Sequence, residues 1–519
     1  MKKFDLWNTP WLQSILAAIF LWLSFPPYNL GILQIPAFML LIRLSVTSVS
    51  VRQMIYYAYP SFVLWNLLTT YWLMMASVTA GAAAIIANAA LMLIPLWLIR
   101  RLTISDMNPI GASFLSAAIW VSYEYLHHQW DLAWPWLTLG NAWSNLTGVI
   151  QYISVTGVWG VSFWIVFTAA LCYHAIATAS KPVLKSALLI FIAFPLFSVL
   201  AMISIQQPHD RPFHVTVVQP NSDSYEQYGG HPSLDHLVTH LLELSGEART
   251  DSTELIVWPE NALDAALTLS SPQILRIRDS LRVWDTELVS GTGYLKYYND
   301  DEAPAITRGI HSGRPYNFFN AAFHIQPDNN TNVYEKGRLV PVVERFPFVE
   351  FFNTIDIFGW INWGGLNSYG LGEEATVFDV DGDRTPALIC YDSVFPGWVN
   401  QFVNNDSDFI TIITNDGWWG DSNGHVQHFA YARLRAIEQR RWIARSANNG
   451  ISGIISPDGK VQLETEYWTE NAFTYQIYQS DKLTFYGRFG DWLPWFLLIS
   501  SIVGIGFTFV RKEKDDQVS

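Results

Sequence analysis

Apolar residues are spread unevenly along this chain. Long apolar runs follow one another through residues 1–205, and one more occupies 491–510. Residues 212–480 between them alternate apolar and polar positions as a water-soluble domain does. A helix needs about 20 mostly apolar residues to cross a bilayer. On that measure the candidate spans run from Pro10 to Ser24, Leu30 to Val46, Met54 to Ala76, Ala82 to Ile99, Ile110 to Leu126, Val149 to Ala177, Val183 to Ile205 and Asp491 to Val510. The first two are short and divided by Pro26-Pro27, the pattern of a tilted or re-entrant hairpin. Met1–Ser24 has the apolarity of a cleaved leader, but no small-residue cleavage site follows, so it is read as a span.

Within 212–480 the period changes. Phe213–Gln219, Glu254–Trp258, Glu287–Gly291, Asn317–Ile325, Thr376–Val380, Ala387–Ile389 and Phe409–Thr414 read as strands. Ser233–Ala248 and Gly424–Arg445 have a helical period, and Gly450–Val461 reads as a hairpin turning at Pro457-Asp458-Gly459. Strands mixed with helices predict an α/β domain.

Charge tests the span count independently. Lys2 and Lys3, Arg43 and Arg52, Arg100 and Arg101, Lys181 and Lys185, then Arg511, Lys512 and Lys514 fall at alternate span ends. The intervening loops, including Leu126–Gly148, hold no Lys or Arg. The positive-inside rule then predicts seven spans in 1–205, an exported domain over 212–480, an eighth span at 491–510 and a cytoplasmic tail at 511–519. Residues 1–205 hold eight of the 31 basic and four of the 45 acidic residues, which leaves an acidic remainder with no electrostatic footprint for nucleic acid. Neither a Gly-rich phosphate loop, zinc-ligand spacing nor a short internal repeat is present. Glu124 lies inside the fifth span, where a carboxylate must face protein interior or a polar head group. Tethering a loop is an equal alternative.

The chain has two cysteines. Cys172 lies within a span, whereas Cys390 ends the apolar run Pro386-Ala387-Leu388-Ile389 and falls in the exported domain, where exposed thiols are usually paired. An unpaired thiol there is either a small core residue or a nucleophile. Two other strand ends carry unusual polar groups, Trp258-Pro259-Glu260-Asn261-Ala262 and Tyr334-Glu335-Lys336-Gly337-Arg338-Leu339-Val340-Pro341. Singly these are a turn carboxylate, a surface lysine and a core thiol. In this order they resemble the Glu–Lys–Cys triad of the carbon–nitrogen hydrolase (nitrilase) superfamily, matching Glu260, Lys336 and Cys390.

With the apolar segments, nearly the whole chain resembles the apolipoprotein N-acyltransferase family. Similar too are Trp134-Pro135-Trp136-Leu137, Asn415-Asp416-Gly417-Trp418-Trp419-Gly420, and the stretch from His428 through Ala432-Arg433, Arg435-Ala436, Glu438, Arg441 and Arg445 to Asn448-Asn449-Gly450. The family often has Pro-Phe-Gly-Glu-Tyr where this chain has Pro341-Val342-Val343-Glu344-Arg345. It has glutamate at Asp392, and Trp-Phe-Gly at Trp418-Trp419-Gly420.

The resemblance implies an α-β-β-α sandwich on a multi-pass helical membrane domain, at the periplasmic side of a bacterial inner membrane. It implies acyl transfer from a phospholipid to the α-amino group of a diacylglyceryl-cysteine on an apolipoprotein; this mechanism requires no metal or other cofactor, and a monomer is expected. A thiol suits such an exchange, because a thioester divides one difficult displacement into two easier ones. Cys390 would be the nucleophile, Glu260 the general base, and Lys336 the cation for oxyanion and thiolate. Glu344 is either a supporting carboxylate or half of a salt bridge with a nearby arginine. Tyr391, Asp392, Trp418, Trp360 and Trp363 are candidates for substrate contact, the last two in the aromatic segment Phe346–Gly370. That segment reads as an interfacial lid or as ordinary core packing. The alternative function is a membrane-anchored nitrilase-type amidase acting on a small amide.

Overall fold

A computed structural model describes residues 9–203, 211–355, 361, 363–366 and 369–518. The chain divides into two compact units, residues 1–206 with 484–519, and residues 207–483.

The first unit is helical. Its longer helices are Pro10–Ser24, Gln34–Thr47, Val51–Thr70, Val78–Leu91, Leu93–Thr103, Pro109–His127, Trp159–Ala177, Lys181–Ile203 and Trp492–Val518. Val78–Thr103, Trp159–Ala177 and Lys181–Met202 are long and apolar enough to cross a membrane by length and composition, and Pro10–Ser24, Gly31–Thr47 and Trp492–Gly506 are shorter apolar helices. Three expected spans are interrupted, the one from Ala82 to Ile99 by a turn at Met92 between Val78–Leu91 and Leu93–Thr103. The one from Met54 breaks after Thr70 and resumes as the single turn Leu73–Ala76, and the one from Val149 begins as short turns before Trp159. The last helix continues through the expected tail to Val518.

Some of the polar side chains buried among these helices pair with one another or with backbone, which lowers the cost of burying them. Asn88 Nδ2 donates to Asn66 Oδ1 at 2.7 Å. Glu124 Oε1 accepts from Trp120 Nε1 and from the Leu139 backbone N–H, both at 2.9 Å. Glu124 therefore faces the protein interior, and through the Leu139 N–H it also tethers the loop.

The second unit is built on two sheets. One runs, in order of neighbours, Asn471–Tyr478, Pro212–Gln219, Leu255–Val257, Glu287–Tyr297, Arg314–Ile325 and Gly309–His311, with Leu263–Leu267 and Thr331–Glu335 alongside. The other runs Val461–Glu464, Gly453–Ile455, Ile443–Ala447, Ile410–Thr414, Asp383–Ile389 and Val377–Val380. They meet face to face: Phe213 and Phe409 have ring centroids 4.6 Å apart, and Ser446 Oγ donates to the Val218 carbonyl at 2.7 Å. Helices Leu234–Ala248 and Pro272–Trp284 cover the first sheet. Their apolar stripe of Leu237, Val238, Leu241, Ile274, Ile277 and Leu281 packs on Ile256, Trp258, Leu288 and Phe323. Helices Pro396–Asn404 and Asn423–Gln439 belong to the second sheet's half.

The expected helix over Gly424–Arg445 is shorter than its apolar period suggests. Arg440 turns left-handed at φ 51°, and Ile443–Ala447 is a strand parallel to Ile410–Thr414. Buried on both faces, that strand lacks the alternation by which half-buried strands are read.

Candidate active site

Each group of the expected triad leaves the end of a strand, and the chain there cannot continue the ladder. Pro259 has no N–H to give a central strand, so the chain turns after Leu255–Val257 and presents Glu260. Gly291 makes this possible: a Cβ there would lie 2.5 Å from Glu260 Cα. Lys336 follows Thr331–Glu335, with its N–H on the Asn320 carbonyl at 2.9 Å and its carbonyl accepting from Gly372 N at 3.0 Å. Cys390 follows Asp383–Ile389 and takes φ 48°, the left-handed region that a non-glycine residue enters at a cost of order 1–3 kcal/mol. Asp383–Ile389 and Ile410–Thr414 are parallel, so Cys390 and the Asn415-Asp416 turn emerge at one edge.

These elements bring Glu260, Lys336 and Glu344 into one buried cluster. Lys336 Nζ lies 3.1 Å from Glu260 Oε1 and 2.9 Å from Glu344 Oε1. Asn320 Nδ2 spans the same two oxygens at 2.7 and 3.0 Å. The remaining oxygens accept backbone N–H groups, Glu260 Oε2 from Asn415 at 3.0 Å and Glu344 Oε2 from Val340 at 2.7 Å. Glu344 therefore belongs to the lysine's cluster, while the neighbouring Arg345 pairs with Glu350.

Burial acts to lower the Lys336 ammonium, but the facing Glu260 and Glu344 carboxylates outweigh it and hold it well above the ordinary lysine value. Burial, then the Glu260 charge, push the Cys390 thiol well above its ordinary value, with Lys336 acting in the opposite sense. The arrangement is a protonated thiol beside a fixed carboxylate and a fixed cation. Such a thiol becomes nucleophilic only when a base removes its proton during attack.

The expected substrate contacts divide. Asp392 is wholly buried, with Oδ2 accepting from Tyr334 Oη at 2.9 Å and Ile389 N at 3.1 Å, and Oδ1 from Arg338 N at 2.7 Å. Its carboxylate thus ties the turn after Lys336 to the turn at Cys390. Tyr391 is also buried, edge-on to Phe395 at 5.0 Å. Trp363 is buried, stacked on Phe352 at 5.1 Å and close to Phe346, so this part of the aromatic segment packs on itself. Trp418 is exposed and edge-on to Tyr225. Trp360 lies outside the described residues.

Asn320, Tyr334 and Arg338 escaped the sequence reading as members of this site. Asn320 is an interior polar residue of a long strand, and the only signal it leaves is amide chemistry where apolar neighbours are the rule. A further buried group lies on the other side of the thiol, where donor atoms of Cys390, Asp416 and His428 fall within 4.8 Å of one another. These three could ligate a metal ion, but Arg445 Nη2 already neutralises Asp416 at 2.7 Å.

Comparison with known proteins places both units. Residues 17–171 match the family model of the apolipoprotein N-acyltransferase N-terminal domain, and residues 214–482 match the carbon–nitrogen hydrolase model. The apolipoprotein N-acyltransferase of Chlorobaculum tepidum is 30% identical over 517 residues, covering 94% of each chain. Apolipoprotein N-acyltransferase 2 of Treponema denticola is 28% identical over 428 residues, 77% of each. The enzyme of that name from Geobacter metallireducens is 25% identical over 474 residues, covering 88% of this chain and 85% of its own. Identity of this extent across both units, one helical and one of two facing sheets, makes the chain a member of the apolipoprotein N-acyltransferase family.

Proposed function

We propose that this enzyme acylates apolipoproteins by way of a thioester on Cys390. The carrying observation is the ammonium of Lys336, fixed between Glu260 and Glu344 in the cluster whose charges act on the Cys390 thiol. In the first half-reaction the thiol gives its proton to the Glu260 carboxylate as sulfur attacks the ester carbonyl of a phospholipid. The tetrahedral oxyanion forms near the Lys336 charge. The C–O bond to glycerol then breaks, the proton passes from Glu260 to the leaving oxygen, and a lysophospholipid departs. In the second half the α-amino group of a diacylglyceryl-cysteine attacks the thioester, Glu260 takes the amine proton and returns it to sulfur, and the amide is released. Atoms balance without a cofactor. Asn320, Asn415 N and Val340 N keep both carboxylates oriented, so little reorganisation is needed as charge moves.

In this reading residues 1–205 and 491–510 span a bacterial inner membrane as a monomer, with 212–480 on the periplasmic side and 511–519 in the cytoplasm. Trp418, exposed at the end of the Asn415–Gly420 turn, contacts substrate, and the segment around Trp360 and Trp363 admits the acyl chain.

The test incubates pure protein with acyl-labelled phospholipid. A hydroxylamine-sensitive label on the wild type that is missing from Cys390→Ala is expected. No protein-bound label, with ammonia released from small amides, would replace this reading with the amidase one.

A further inference from the structure

His428 stands beside the thiol and none of the steps above uses it. It lies on the helix Asn423–Gln439, and it, Asp416 and Arg445 are all wholly buried. Its Nδ1 is 2.9 Å from Asp416 Oδ1, and Arg445 Nη2 is 2.7 Å from the other Asp416 oxygen and 3.2 Å from His428 Nδ1. Thr414 Oγ1 also donates to Asp416, at 2.8 Å. Burial would raise the Asp416 carboxyl, but the Arg445 and His428 charges outweigh it and hold it well below the usual carboxylate range. Nδ1 thus lies against both the Asp416 carboxylate and the Arg445 guanidinium. The ring is therefore fixed in orientation, and its far edge has a defined target.

That target is the backbone of Cys390. His428 Nε2 lies 3.3 Å from the Cys390 carbonyl oxygen, which only accepts, so Nε2–H is the donor there; Ser393 Oγ, 3.2 Å from Nε2, donates to the same carbonyl at 2.7 Å. Cys390 is the residue held at φ 48°. A side chain in that region returns to extended or helical backbone unless its surroundings over-determine it.

We propose that His428 is a positioning residue for Cys390: anchored by Asp416 and Arg445, its ring and the Ser393 hydroxyl hold the Cys390 carbonyl and so keep the thiol's turn in its left-handed form. The inference rests on the reading of Cys390 as nucleophile. It differs from simple core support because it predicts a loss in the acylation step itself.

The experiment measures single-turnover acylation by labelled phospholipid, with thermal unfolding alongside, in His428→Ala, His428→Gln and His428→Asn. An ångström-scale misplacement of the nucleophile predicts an acylation rate constant about 10–100-fold lower in His428→Ala, with KM for phospholipid changed less than about twofold. His428→Gln, whose amide reaches the place of Nε2, recovers most of the rate. His428→Asn, whose amide ends near Nδ1 and keeps only the Asp416 contact, does not. Equal rates for Gln and Asn, a loss confined to KM, or lowered thermal stability with unchanged acylation overturns the proposal. The Gln and Asn pair decides the matter even if His428→Ala fails to fold. A wild type that forms no thioester overturns the nucleophile reading with it, whereas a thioester formed equally fast in wild type and His428→Ala overturns the positioning role alone.

Discussion

Asp392→Asn isolates what the carboxylate between the lysine and cysteine turns contributes. Burial, opposed by Lys336 and by the hydrogen bonds from Tyr334, Ile389 and Arg338, holds the Asp392 carboxyl up at about 6 rather than 3.8. A difference of that size in a fully buried group corresponds to about 3 kcal/mol. The sign follows from proton binding. Below its unfolded value the group is protonated in both states, while between the two values only the folded chain keeps the proton. Its stabilising contribution is therefore greatest at low pH and is lost as pH rises through about 6. Asparagine does not titrate and must point an N–H at one of three donors, a pH-independent penalty of about 1–3 kcal/mol. The wild type's advantage over Asp392→Asn should thus be largest at acidic pH and shrink by about 2 kcal/mol between pH ~4.5 and ~7.5. That is on the order of 4 °C in unfolding temperature for a domain of this size. Scanning fluorimetry of both proteins in detergent across this range reads it directly. Parallel pH curves, or an advantage that grows toward pH ~7.5, would refute the buried, proton-holding role.

Lys336→Met leaves the Glu260 and Glu344 carboxylates buried with only Asn320 between them, which should destabilise the catalytic unit by about 3–5 kcal/mol and abolish thioester formation; wild-type unfolding and acylation rates would contradict this. In a Cys172→Ala background, alkylation of Cys390 by iodoacetamide should still be accelerating above pH ~9, because its thiol is held above the ordinary thiol value; a plateau near neutral pH would show a thiolate already formed. Engineered cysteines within 212–480 should react with a membrane-impermeant reagent added outside the inner membrane, while those in 511–519 should not, and labelling of the tail would overturn the eight-span topology.

Much of the fold could be read locally. The helix at Ser233–Ala248 is legible because it has one apolar face and a clear end signal, Ser233 accepting from His236 N as an N-cap, and the strand at Phe213–Gln219 because its run is rich in β-branched residues. Ile443–Ala447 was absorbed into a helix because a strand buried on both faces has no period to betray it. Phe346–Gly370 shows another limit, since aromatic composition announced apolar surface but not whether the rings face lipid or, as Trp363 and Phe352 do, one another.

The sequence by itself determined that Glu260, Lys336 and Cys390 each sit at a strand end, because proline, charge and a broken apolar run are local signals. It also determined the alternation of basic clusters with apolar runs. Only the tertiary structure decided the company these residues keep. Glu344 joins Lys336 rather than an arginine because the Val340 N–H and Asn320 fix its carboxylate there. Asp392 faces Tyr334 and Arg338 from 58 and 54 positions away, and Arg445 reaches Asp416 across 29. Contacts between residues so far apart in the chain leave no periodicity. They exist because two sheets packed face to face exclude water, and each buried charge there must find its partner across the core.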